Sequence, residues 1–128
     1  MSQFTEKRVI VTGAAGIFGR WITEAFLRDG AHVCLSDMRG DAARAVVTEN
    51  SAADRAFVHE TELTDPASID DLIATVKAKW GAPDIVINNA GVYPKGLLLD
   101  IPVEEWDRIF DINLRAPFLV TRGMAKLM

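Results

Sequence analysis

The stretch that most constrains the fold lies near the N-terminus. Arg8 to Thr12 (RVIVT) is a short run of β-branched residues and predicts a buried strand. Gly13-Ala-Ala-Gly16-Ile-Phe-Gly19 follows, and then Ile17, Trp21, Ile22, Ala25 and Phe26 recur at helical spacing up to Arg28, with Gly30 placed to close the helix. A glycine permits the tight turn from strand to helix. A second lets a pyrophosphate approach the backbone, and a third lets helix pack closely on strand. The helix N-terminus then offers free N–H groups and a partial positive charge to an anion. A glycine turn in this setting points to a dinucleotide site.

The rest of the chain keeps alternating. Strands are predicted over 31–36, 55–59 and 84–88, and helices over 41–53, 68–80 and from Val103 to the C-terminus. Asp65-Pro66 is a helix start and Gly81-Ala-Pro a helix stop. The order βαβαβαβα implies right-handed crossovers and a parallel sheet covered on both faces. The expected fold class is therefore α/β: a three-layer, doubly wound parallel sheet of Rossmann type with strand order 3-2-1-4. One domain is expected over 1–128, without repeats or linkers, and its ligand crevice lies between strands 1 and 4, where the order reverses.

Asp37 closes the second strand, where an acidic residue meets the adenosine ribose in such folds. A carboxylate accepts hydrogen bonds from both ribose hydroxyls and repels the extra phosphate of NADP. Met38 is neutral and Ala14 and Ala15 put no base in the glycine turn, so NAD is expected over NADP. Arg39 is the dissenting residue, because it could reach a 2′-phosphate.

Composition removes other classes. Of 128 residues, 49% are hydrophobic and 25% charged, and the net charge of −4 argues against a nucleic-acid binder. The single cysteine, Cys34, excludes an internal disulfide framework and reads as a small buried strand residue. With no signal-peptide pattern and no apolar run of membrane-spanning length, a cytoplasmic protein is expected. His32 and His59 sit on strands far in sequence from any carboxylate partner, and no cluster has metal-ligand spacing, so no metal is expected.

From Lys7 to Met128 the chain resembles the N-terminal half of a short-chain dehydrogenase/reductase. Thr12-Gly13-Ala-Ala-Gly16-Ile-Phe-Gly19 is similar to that family's dinucleotide turn, Asn88-Asn89-Ala90-Gly91 to its most recognisable signature, and Phe110-Asp-Ile-Asn113-Leu114 to a third motif. The resemblance implies that Gly13, Gly16, Ile17 and Gly19 line the pyrophosphate and that Asp37 holds the adenosine ribose. It implies that Glu62 and Leu63 flank the adenine, that Asn89, Ala90 and Gly91 pack along the cofactor's ribose, and that Asn113 is the asparagine of the catalytic Asn-Ser-Tyr-Lys tetrad. It also implies a small carbonyl or alcohol substrate and a homo-oligomer.

Three departures stand out. Ile17 occupies a position where the single-domain branch usually has glycine, so the turn carries the spacing of the extended, epimerase-like branch. Glu62 replaces the usual aspartate, and its extra methylene weakens or moves the adenine contact. The catalytic serine and the Tyr-x-x-x-Lys pair are absent: the only tyrosine is Tyr93, and Leu97 stands where its lysine would be. Tyr93 is expected in a loop near the cofactor, and Leu97, Leu98 and Leu99 at a pocket edge or in the core. Asn113 cannot act as an acid or base, but Pro117, four residues on, lacks an N–H and frees the Asn113 carbonyl to hold a water.

The chain as written is thus expected to bind NAD without turning over alone. Two features predict that it is part of a longer enzyme: a fourth strand apolar on both faces, and apolar surface on the last helix from Phe118, Leu119, Met124 and Leu127. The alternatives are a non-catalytic module that self-associates through that strand and helix and, from the glycine spacing alone, a sugar-nucleotide epimerase or dehydratase.

Overall fold

The computed structural model describes residues 2–128. Four parallel strands, β1 (Arg8–Thr12), β2 (His32–Asp37), β3 (Ala56–Glu60) and β4 (Ile85–Ile87), form one sheet in the order β3-β2-β1-β4. The expected 3-2-1-4 order and the reversal between β1 and β4 are both present. Helices α1 (Ile17–Arg28) and α2 (Gly40–Glu49) lie against one face, and α3 (Pro66–Trp80) and α5 (Ala116–Ala125) against the other. Between them come a short 3-10 turn at Leu98–Asp100 and α4 (Val103–Phe110).

Alternation along the strands builds two cores. Val9, Val11, Val33 and Leu35 point toward α1 and α2 and pack with Leu27, Ala43 and Val46. Ile10 and Cys34 point the other way and meet Ile69, Leu72, Val76, Val120 and Met124. Cys34 is fully buried there, and burial pushes its thiol up to about 12, far from reactive thiolate.

Local sequence sets most helix ends. Gly30, at φ +86°, closes α1: its N–H reaches the Leu27 carbonyl and the Ala31 N–H reaches that of Phe26. Asp65 caps α3 by accepting from the Ala67 N–H at 3.0 Å, with Pro66 in the first turn, and Gly81 ends it at φ +77°.

Helix α1 buries Gly19, Thr23 and Leu27, which turns Ile17 and Trp21 outward. Two expectations need correction. On α5, Met124 is fully buried and Leu119 and Leu127 pack against the second core, because α5 docks on α3; only Phe118 of the four stays exposed. The last helix is not one α-helix: Asp111–Arg115 form a π turn between α4 and α5, in which the Ala116 N–H reaches the Asp111 carbonyl. Pro117 has no N–H to give an α-helical ladder there, and the wider turn absorbs that loss.

Candidate nucleotide site

A cleft of about 300 Å³ opens over the C-terminal ends of the strands. Gly13, Gly16, Ile17, Phe18 and Gly19 line it from the first turn, Asp37, Met38 and Arg39 from the second, Glu62 and Leu63 from the third, and Asn89, Ala90, Gly91 and Val92 from the fourth. The parallel sheet brings four loops from distant parts of the chain to one end, at the topological switch point.

The three glycines divide their work. Gly13 has φ +63°, and a Cβ there would stand 2.9 Å from the Ala90 Cα. At Gly19 a Cβ would fall 1.9 Å from the Gly13 carbonyl oxygen, so α1 can pack on the turn only without a side chain. Gly16 is the N-cap of α1 and has no such clash: a Cβ would lie 3.4 Å from its nearest neighbour. No side chain caps α1 at that end, so its first N–H groups remain available to an anion.

Asp37 is nearly buried, and both carboxylate oxygens are held. Oδ2 accepts from the Ala15 N–H at 2.9 Å and Oδ1 from the Arg39 N–H at 2.8 Å, so the carboxylate ties the glycine turn to the end of β2. The Arg39 side chain folds back toward it, with Nε 3.4 Å from Oδ1. Glu62 turns its Oε1 to Thr64, accepting from the hydroxyl at 2.8 Å and the N–H at 3.2 Å.

Asn89 clamps the fourth loop to β1, its Nδ2 donating to the carbonyls of Thr12 (3.1 Å) and Gly13 (3.2 Å). The Thr12 hydroxyl accepts from the N–H groups of Asn89 and Ala90, both at 3.1 Å. Asn113 lies beside the cleft rather than in its lining. Its carboxamide makes two hydrogen bonds with the backbone of Val92, accepting from the N–H at 2.8 Å and donating to the carbonyl. The side chain is spent on bracing the Gly91–Val92 loop.

These motifs recur together in a known family. Residues 7–128 match the short chain dehydrogenase family. The chain belongs to that family.

Among curated relatives it is 35% identical to sorbitol dehydrogenase of Cereibacter sphaeroides, over 95% of this chain and 47% of that one. It is 31% identical to galactitol 2-dehydrogenase of Agrobacterium fabrum, over 98% of this chain and 48% of that one. The chain thus spans about half the length of the curated relatives it matches. A metagenomic short-chain oxidoreductase solved in complex with NADP superposes with a TM-score of 0.92 at 33% identity, over 99% of this chain and 58% of the other. L-Sorbose reductase from Gluconobacter frateurii, complexed with NADPH and L-sorbose, gives 0.88 at 25% identity, over 98% and 48%.

Some neighbours of this short-chain dehydrogenase site are invisible in the linear sequence. Arg115 donates to the Thr64 carbonyl at 2.7 Å, joining the π turn to the loop after β3. Both histidines find carboxylates after all: His59 Nε2 lies 2.7 Å from Asp71 and His32 Nε2 3.1 Å from Glu6. The other His59 nitrogen meets the Thr61 hydroxyl at 2.7 Å, to which Ser36 donates, forming a buried polar chain beneath the third loop. Tyr93 is 81% exposed, and Leu97, Leu98 and Leu99 are also exposed, so these four serve neither core nor cleft in this chain. Among the described residues no group of His, Cys, Asp and Glu could hold a metal ion, and no helix is long and apolar enough to cross a membrane.

Proposed function

We propose that the chain is the cofactor-binding part of an NAD-dependent dehydrogenase that interconverts a secondary hydroxyl and a ketone. The observation that carries the choice of NAD is Asp37: a carboxylate at the end of β2, fixed by two backbone N–H groups at the cleft. Held this way it can accept from ribose hydroxyls, and it stands against a 2′-phosphate. The residues fit a dinucleotide, because side chains at Gly13 and Gly19 would close the turn that the uncapped start of α1 leaves open.

In this reading Gly13, Gly16, Ile17 and Gly19 cradle the pyrophosphate. Glu62 and Leu63 flank the adenine, and Asn89, Ala90 and Gly91 run along the second ribose. When bound, the dinucleotide supplies or accepts the hydride. Asn113 holds the fourth loop in place and presents its carbonyl to a water in a proton relay. The names of the relatives point to a polyol or ketose as the substrate class.

Titration with NADH and NADPH tests the reading, following energy transfer from tryptophan. Trp21 is the natural reporter, since it packs edge-on against Phe18 of the cleft at 5.6 Å. NADH is expected to bind more tightly than NADPH, and binding of neither overturns the nucleotide reading.

A second reading rests on exposed apolar surface. Val103, Trp106, Phe110, Leu114 and Phe118 are exposed along α4, the π turn and α5, which favours a self-associating protein.

A further inference from the structure

Asp37 has an acidic neighbour that the cleft itself does not reveal. Asp37 and Glu60 are register partners on β2 and β3, so both side chains leave the same face of the sheet, toward α2. A Cβ at Gly40 would fall 1.9 Å from Glu60 Oε1 and 2.5 Å from its carboxyl carbon, which places that carboxyl group directly against the first residue of α2. Arg39, the N-cap residue, provides no side-chain cap there. The Glu60 carboxylate therefore lies beside the first turn of α2, where the helix dipole favours a negative charge. It also accepts from Arg44 Nη2 at 2.9 Å, while Asp41 accepts from the same nitrogen at 2.8 Å. Both bonds, that to Asp41 first, raise the Arg44 pKa above its ordinary value. The Arg39 Nε lies 3.4 Å from Asp37 Oδ1. Each guanidinium near the end of β2 is thus engaged by a carboxylate.

We propose that Glu60 is a second cofactor-specificity residue, which acts with Asp37 to reject a nucleotide phosphorylated on the adenosine 2′-oxygen. The inference rests on the dinucleotide reading above and assigns a role to a residue outside the cleft lining. A 2′-phosphate carries nearly two negative charges and needs donors, and the start of α2 with Arg39 and Arg44 is what this chain has to offer. Glu60 stands beside the helix start, engages Arg44 and adds a like charge there. A 2′-hydroxyl asks for neither and needs only Asp37. Discrimination then comes from a repulsive element as well as an attractive one.

The test compares NADH and NADPH dissociation constants for the full chain, for Glu60→Gln, for Glu60→Ala and for Glu60→Gln with Arg44→Ala. Glu60→Gln should tighten NADPH about fivefold and leave NADH within about twofold, the scale of one exposed charge pair. Glu60→Ala, which also clears the side chain from Gly40, should move the ratio in the same direction. Removing Arg44 as well should cancel the gain, and high salt should shrink it. An unchanged NADPH-to-NADH ratio in both Glu60 variants, with NADH binding intact, overturns the role of Glu60 alone. Failure of the unsubstituted chain to bind either nucleotide overturns the dinucleotide reading and this proposal with it.

Discussion

At the residue scale the three glycines of the first turn make separable demands. Gly16 faces the cleft with ordinary van der Waals room for a Cβ, whereas Gly19 faces backbone with none. Gly19→Ala is therefore expected to lower unfolding stability by about 1–3 kcal/mol, the scale of overpacking. Gly16→Ala is expected to change it by less than about 0.5 kcal/mol while weakening NADH binding. Urea denaturation and NADH titration of the two variants separate these effects. Asp84 gives a pH test at the opposite end of the sheet. Its Oδ2 accepts from Arg8 Nε at 3.1 Å and from the Arg8 N–H at 2.8 Å, and these bonds, the side-chain one first, lower its pKa below the ordinary value of 3.8. A carboxylate with a depressed folded pKa stabilises fully above its unfolded pKa and loses that contribution as pH falls through the folded one. The advantage of the unsubstituted chain over Asp84→Asn should be at most about 1 kcal/mol for so exposed a pair, steady near neutrality, and should vanish in strong acid. An advantage that grew on acidification would contradict the assignment.

At the element scale the segment after β4 depends on a helix more than twenty residues away. The Asn113 carboxamide holds both backbone groups of Val92, and Asn88 Nδ2 reaches the Thr121 hydroxyl at 2.9 Å. Asn113→Ala should speed amide exchange at Val92 about tenfold, equivalent to one net hydrogen bond, without disturbing exchange in β1 and β2. Protection at Val92 that survives the change would mean that the loop is held by other contacts. The positions of β1 to β4, the glycine turn and the starts and stops of α1 and α3 were all legible in the sequence, because local chemistry sets them: β-branched runs, glycines at positive φ, an aspartate cap. The π turn was not. Pro117 signalled a missing hydrogen bond, but the sequence could not say whether the helix would kink or widen, since docking of α5 on α3 fixes where Ala116, Val120 and Met124 must point.

On the scale of the whole molecule, the sheet has two edge strands, β3 and β4, and β4 is a wholly apolar edge whose Ile85, Val86 and Ile87 are only half-buried. Together with the exposed Trp106 and Phe110 on α4, that edge makes concentration-dependent association the expected behaviour. Sedimentation velocity over a range of concentrations should show it, and Phe110→Glu should shift the distribution toward monomer. A monomer at all concentrations would contradict the self-association reading.

The sequence by itself determined the βαβ order, the sheet topology that follows from it, the family, and which residues gather at the strand ends. Those properties depend on periodicity, turn chemistry and the handedness of crossovers, all of which act over short stretches of chain. Only the tertiary structure decided what the gathered residues touch. It gave Asp37 two backbone donors, turned Glu62 onto Thr64 and gave His59 its carboxylate in Asp71. It committed the Asn113 side chain to Val92 and set Glu60 against the start of α2. The physical reason is the same in each case. A hydrogen bond is settled within about 3 Å, and partners far apart in the sequence reach that distance only after strands have paired in register and helices have docked.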